Sequence, residues 1–243
     1  MRLTRVYVDA PLAAGTRVTL DGGAARHVTR VLRLRVGEAL TLFNGSGGEY
    51  AASIEQSQGG RVAVAIGEQR AIERESPLAL TLAQGVSRGE RMDLVVQKAT
   101  ELGVSGLVPV LTERSVVRLT AQQADRRLNH WRAIAAAACE QSGRNRLPAI
   151  AAAVPLKDFL RSGTDGVTRL LLSPGAGATL ADVPRPVTAV TVLIGPEGGL
   201  AQAEQEAAVA AGFKPVRLGP RVLRTETAAI AALTLLQREF GDL

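Results

Sequence analysis

Two short stretches near the C-terminal end carry residue types that can hold a small ligand. The first, Leu193-Ile194-Gly195-Pro196-Glu197-Gly198-Gly199, closes a β-branched, apolar run and hands over to a helix-forming segment. Ligands of open parallel sheets bind beyond the carboxyl ends of the strands. Glycines there let backbone approach a ligand closely, and a helix start offers free N–H groups. A plain strand-to-helix turn accounts for glycine and proline, but not for three glycines around a glutamate. The second stretch, Leu218-Gly219-Pro220-Arg221-Val222-Leu223-Arg224-Thr225-Glu226-Thr227-Ala228, repeats the arrangement. Thr225 or Thr227 can cap the helix that follows, and Glu226 suits its positive first turn. Arg221 and Arg224 beside that carboxylate add the character of an anion or substrate site. No G-x-x-x-x-G-K-[ST] occurs and no G-x-G-x-x-G follows a strand, which argues against a phosphate loop and a dinucleotide oxidoreductase.

The elements that must position these loops belong to the second of two textures. Up to about residue 70 the pattern is short and β-like. Strands are expected at Arg2–Val8, Arg17–Leu20, Ala39–Phe43, Glu49–Ile54 and Arg61–Ile66, with a hairpin turn at Asn44–Gly48. A helix is expected over Gly23–Arg33, with Val28, Val31 and Leu32 on one side and Arg26, Arg30 and Arg33 on the other. Such a run suggests a small barrel over residues 1–72. After the linker Glu73–Pro77, strands and helices alternate through residues 73–243, the mark of a parallel α/β sheet. Strands are expected at Leu78–Ala83, Gly106–Leu111, Arg169–Leu172, Thr188–Ile194 and Pro215–Leu218. Helices are expected at Glu90–Leu102, Thr120–Ser142, Leu156–Arg161, Ala201–Ala211 and Glu226–Phe240, the second opened by a Thr120/Gln123 capping box.

The whole-chain composition narrows the partners. Net charge is +6, and seven arginines within residues 1–35 face only Asp9 and Asp21. That excess fits a phosphate backbone, and an arginine-rich solvated face accounts for it equally well. Aromatics are 3 %, too few for base-stacking platforms. A single cysteine, Cys139, excludes an internal disulfide, and with two histidines no metal cluster is expected. No apolar run approaches the roughly 20 residues of a membrane span, and the N-terminus lacks a signal-peptide core, so a cytoplasmic protein is expected.

Four stretches together resemble a known family: Lys98–Val104, Cys139–Arg144, Ile194–Gly199 and Leu218–Ala228. They are similar to the RsmE family, 16S ribosomal RNA (uracil-N3)-methyltransferases of the SPOUT class. His27–Arg35 with Asn44-Gly45 also looks like that family's N-terminal domain. The resemblance runs through essentially the whole chain in the family's order. It departs at Leu200-Ala201, where the family carries an aromatic and a small hydroxyl residue, so the following helix loses a cap.

The resemblance implies a small PUA-like β-barrel domain and an α/β SPOUT domain whose C-terminal segment threads a deep trefoil knot. It implies a homodimer acting on 16S rRNA of the small ribosomal subunit, with neither membrane nor metal. The cofactor implied is S-adenosyl-L-methionine, held by Leu172, Ser173, Ile194, Gly195, Pro196, Glu197, Gly198, Gly199, Leu218, Gly219, Leu223, Thr225, Glu226, Thr227 and Ala228. Uracil N3 carries a proton that must leave. Glu226 is the candidate base, with Glu197 its competitor, and Arg221 and Arg224 would stabilise charge on the uracil oxygens. RNA contacts are expected from Arg2, Arg26, His27, Arg30, Arg33 and Arg35, and from Arg88, Lys98, Arg114 and Arg144, with a structural ion pair the alternative for each of the last four. Trp131 and Cys139 read as packing residues. A non-catalytic ribosome-assembly factor that kept the fold is the competing function.

Overall fold

The computed structural model describes residues 4–115, 120–162 and 166–243. It divides into two compact units, Met1–Glu75 with Ala136–Leu147, and Ser76–Ala135 with Pro148–Leu243.

The first unit contains β1 (Arg5–Tyr7), β2 (Arg17–Leu20), α1 (Gly22–Arg26), β3 (Ala39–Phe43), β4 (Glu49–Gln58) and β5 (Arg61–Arg70). The order in its sheet is β1-β3-β4-β5-β2. Among the described residues β1 and β2 end the ladder without pairing to each other, so the expected barrel is not closed by hydrogen bonds. Alternation does its expected work here: Leu40, Leu42, Ile54, Val62 and Val64 all point into one core with Val6 and Val28. The expected helix over Gly23–Arg33 is interrupted. α1 passes into a π turn at His27–Val31, with the Leu32 N–H donating to the His27 carbonyl. The wider turn rotates the following residues. Val28 stays buried while Val31 is 55 % exposed, so the apolar face assigned to Val31 is corrected.

A polar cluster is buried in this unit. The Arg5 guanidinium donates to the Glu49 carboxylate, to the Arg144 carbonyl at 3.0 Å and to Asn145 Oδ1 at 2.5 Å. Asn145 Nδ2 donates to the Ile72 carbonyl at 2.5 Å, and Arg144 clasps both oxygens of Glu75 at 3.2 Å. Cys139 lies nearby, fully buried, its thiol directed at the Arg146 carbonyl 3.6 Å away. Burial pushes the Cys139 thiol up to about 11, against the opposing pull of the Arg144 charge. Since the thiolate is the reactive form, the native protein at pH 8 is expected to resist iodoacetamide and to react at once on unfolding. Rapid labelling of the native chain would show that this segment opens.

The second unit holds β6 (Ala79–Gly85), α2 (Glu90–Glu101), β7 (Gly106–Leu111), most of α3 (Ala121–Ser142), β8 (Ala149–Ile150), β9 (Val154–Pro155), α4 (Leu156–Arg161), β10 (Thr168–Leu172), β11 (Ala189–Ile194), α5 (Gln202–Ala210), β12 (Lys214–Val216) and α6 (Thr225–Phe240). The sheet order is β12-β10-β11-β6-β7-β8, with β9 also on β7, and every pair is parallel. β8 and β9 are two residues each, too short to leave a periodic signal. The central strands are buried on both faces: Leu80, Leu82, Val190 and Val192 pack with Trp131 and α6, whereas Ala83, Leu171 and Leu193 pack with Phe213 and Ala208. This explains their near-continuous apolar runs.

The ends of three helices test the capping expectations. α3 opens with the Thr120/Gln123 box, bonded in both directions at 3.0 and 3.3 Å. α5 keeps half a box: the Ala201 N–H donates to Glu204 at 2.9 Å, and Ala201 has no hydroxyl to return. α6 begins after Arg224 without any side-chain cap, so the capping role expected of Thr225 or Thr227 is corrected. The Thr225 hydroxyl is engaged elsewhere.

Candidate active site

The carboxyl ends of β10, β11 and β12 open onto one cleft of about 550 Å³. Its walls are Leu172 and Ser173 after β10, the loop Ile194–Leu200 after β11, and Leu218, Gly219 and Arg221–Glu226 between β12 and α6, with Ala228. Three loops separated in sequence therefore meet at one place, as strand-end binding in a parallel sheet requires. Of the residues expected at a ligand, Thr227 alone lies off the cleft; it faces solvent on the first turn of α6.

The β11 loop is built tightly. A Cβ on Gly195 would stand 3.0 Å from Gly199 C and Leu200 N, so a side chain there would press the loop open by a few tenths of an ångström. It also lies directly on the end of β6: a Cβ on Gly85 would fall 2.4 Å from Pro196 N and 2.8 Å from Gly195 C. From the far side, Arg114 Nη1 donates to the Gly198 carbonyl at 3.0 Å. Glu197 accepts from the Arg88 N–H at 3.1 Å and from Arg91 Nη1 at 2.8 Å. Partial burial pushes its carboxyl up, but hydrogen bonds from its own and the Arg88 backbone N–H, with the Arg91 contact and charge, hold it below the usual carboxylate range. One oxygen of Glu197 is thus committed to holding the loop.

Glu226 has different surroundings. It sits in the first turn of α6 and lines the cleft, and its Oε2 is buried without a hydrogen-bond partner. A buried carboxylate oxygen is rarely left unpaired. The carboxyl group as a whole belongs to a residue that lines the cleft, and its place is favoured by the helix N-terminus. Arg221 and Arg224 flank it in the same wall, joined by Arg91, Arg114 and Arg217. Five guanidiniums against two carboxylates make the cleft attractive to anions.

Gln84, Gly85, Arg91, Gln205 and Arg217 were not marked by the loop motifs, yet all five hold or line the site. Gln84 left the clearest signal, as an amide ending the apolar strand Leu80–Gly85.

The residues expected at RNA are dispersed. Arg26, Arg30, Arg33 and Arg35 are exposed on the first unit, His27 is half-buried 3.8 Å from the Glu140 carboxylate, and Arg2 lies outside the described residues. Arg88 and Arg114 are exposed beside the β11 loop. Lys98 is paired with Glu101 at 2.8 Å on one face of α2, the structural alternative for that position. Arg144 is 3 % exposed and holds Glu75. That burial leaves its guanidinium no open face for a phosphate, which corrects its assignment to RNA.

No helix among the described residues is long and apolar enough to cross a membrane. No group of three or more His, Cys, Asp or Glu side chains there could hold a metal ion.

The class of protein is an RNA methyltransferase, by family match across both units. Residues 74–237 match the RNA methyltransferase domain family, and residues 20–66 match the RNA methyltransferase PUA domain family. The chain is 32 % identical over 242 residues to the ribosomal RNA small subunit methyltransferase E of Buchnera aphidicola subsp. Schizaphis graminum, covering 100 % of this chain and 98 % of that one. It belongs to the ribosomal RNA small subunit methyltransferase E family. A putative methyltransferase from Legionella pneumophila, solved in complex with bound SAM, superposes with a TM-score of 0.96 at 42 % identity, all of both chains being covered. The Neisseria gonorrhoeae ribosomal RNA small subunit methyltransferase E, solved bound to S-adenosyl methionine, gives 0.92 at 38 % over 99 % of each chain.

Proposed function

We propose that this protein transfers a methyl group from S-adenosylmethionine to N3 of a uridine in 16S rRNA of the small ribosomal subunit. It would work in the cytoplasm as a homodimer, with the segment after β11 threaded as a deep trefoil knot. The observation that carries the reading is the convergence of the three strand-end loops on one cleft. The residues fit the cofactor. Leu172, Ile194, Leu218 and Leu223 offer apolar wall to an adenine, the glycine loops offer backbone, and the volume lies within the ~300–1,000 Å³ of small-molecule sites. Family membership and the SAM-bound relatives from Legionella pneumophila and Neisseria gonorrhoeae support the same assignment.

The bound cofactor supplies an electrophilic methyl group, which leaves the protein the tasks of positioning and proton removal. Leu172-Ser173, Ile194–Gly199 and Leu218-Gly219, with Leu223, Thr225, Glu226 and Ala228, hold the donor. Glu226, which lines the cleft in the first turn of α6, accepts the N3 proton. Arg221 and Arg224 stabilise the negative charge left on the uracil oxygens. Arg26, Arg30, Arg33 and Arg35 position the RNA backbone without reading sequence.

Glu226→Gln is expected to keep cofactor affinity and to lower the single-turnover methylation rate by about 10²–10⁴-fold, the usual worth of a positioned base. A near-parental rate would remove Glu226 from this role. The pair Arg30→Glu with Arg33→Glu is expected to weaken RNA binding and flatten its dependence on salt. An unchanged salt slope would place the RNA elsewhere.

A further inference from the structure

Gln84 is the next-to-last residue of β6, opposite Ile194, the last residue of β11. It is fully buried in a strand otherwise made of Ala79, Leu80, Thr81, Leu82, Ala83 and Gly85. Its amide nitrogen lies 2.9 Å from Thr225 Oγ1, 3.1 Å from the Gly85 carbonyl and 3.4 Å from the Gly195 carbonyl. The Thr225 hydroxyl in turn donates to the Gly195 carbonyl at 2.7 Å. Three acceptor oxygens around one atom settle the amide's orientation, because the reverse orientation would oppose its oxygen to two carbonyls. The Thr225 proton is likewise settled: it is given to Gly195, and Thr225 Oγ1 accepts from Gln84.

This relay ties together two loops that are 30 residues apart, from a strand more than 100 residues earlier. Gly195 belongs to the loop after β11, and Thr225 is the first residue of α6 beside Glu226. The amide oxygen Gln84 Oε1 is buried without a partner. A residue that leaves half its amide unsatisfied in a core is not there for packing, since an apolar side chain of the same shape would avoid that cost. What only the amide supplies is the Nε2 clamp.

We infer that Gln84 is a positioning residue that sets the separation of the two cofactor loops through Thr225. This rests on the reading of the cleft as the S-adenosylmethionine site. Thr225 then acts on the cofactor indirectly: its hydroxyl is spent on the loops, and its backbone and the neighbouring Glu226 face the cleft.

The test compares Gln84→Leu, Thr225→Val and Thr225→Ser with the parent full-length chain by three readouts. These are calorimetric S-adenosylmethionine affinity, melting temperature, and amide hydrogen exchange of residues 194–200 and 223–228 without ligand. Thr225→Val and Gln84→Leu are each expected to weaken binding by roughly tenfold, the worth of one or two buried hydrogen bonds. Exchange is expected to quicken in both loops together while β7 stays protected, and Thr225→Ser is expected to recover most of the lost affinity. The double variant Gln84→Leu/Thr225→Val is expected to be no worse than the poorer single one, because both break one relay. Parental affinity and loop exchange in Thr225→Val would overturn the inference, as would additive losses in the double variant. If Gln84→Leu did not fold, the Thr225 pair decides alone. If the parent itself bound no S-adenosylmethionine, the functional reading would fall, and loop exchange would still decide the clamp.

Discussion

Alanine at position 85 is expected to weaken S-adenosylmethionine binding by up to about a hundredfold. Gly85 ends β6 directly under the β11 loop, and its missing Cβ would occupy space 2.4 Å from Pro196 N, 2.5 Å from Pro196 Cδ and 2.8 Å from Gly195 C. All three atoms belong to backbone or to a proline ring, so no flexible side chain can swing aside. Forcing one methyl into such a contact costs about 1–3 kcal/mol. The strand is anchored on both sides, by β11 and by β7, so the loop and not the strand has to yield. The loop is one wall of the cleft, and a displacement there appears as lost affinity at about tenfold per 1.4 kcal/mol. Calorimetry on the folded variant decides it. Parental affinity would mean that the β11 loop does not bound the cofactor site.

The second large effect is on stability. Glu49→Ala is expected to destabilise the first unit by about 3–5 kcal/mol, the range for breaking a buried ion pair from one side. Arg5 is 2 % exposed and Glu49 6 %. Without the carboxylate the Arg5 charge stays buried, Arg74 loses an ion-pair partner at 3.7 Å, and Asn145 Nδ2 loses a contact at 3.4 Å. Replacing both partners, as Arg5→Met with Glu49→Leu, is expected to be far milder, because no charge is then stranded. Denaturant titration can follow the two units separately. Thiol labelling of buried Cys139 reports the first, and fluorescence of Trp131, the single tryptophan, reports the second. A loss below about 1 kcal/mol for Glu49→Ala would match an exposed pair and contradict this account of the cluster.

Much of the cleft is legible in the sequence itself. Leu193–Gly199 and Leu218–Ala228 have glycines where a strand stops, and that pattern arises from local backbone requirements that a sequence records. The strands from β6 to β11 were equally open to reading, since burial on both faces leaves an apolar run. What escaped depends on partners distant in the chain. The role of Gln84 exists only because Gly195 and Thr225 arrive beside it. The fate of the Thr225 hydroxyl, drawn to Gly195 instead of capping α6, is decided by the same encounter. Arg144 shows the converse case: its motif leaves RNA and a structural ion pair both open, and its burial against Glu75 is the ion pair. The exposed side chain of Val31 followed from a π turn, which has no periodic signature of its own.

The identity of the acceptor atom is the centre of the account, and one measurement reaches it. The protein is incubated with S-adenosylmethionine and unmethylated small ribosomal subunits, in parallel with naked 16S rRNA, and the products are digested and mapped by mass spectrometry. The expected result is one methyl group at N3 of a single uridine, formed far more slowly when Glu226→Gln replaces the parent and needing more S-adenosylmethionine when Gly85→Ala does. Methylation of a ribose oxygen or of another base would contradict the proposed chemistry. No transfer to either substrate, from a chain that binds the cofactor, would contradict the account of the cleft as a catalytic site.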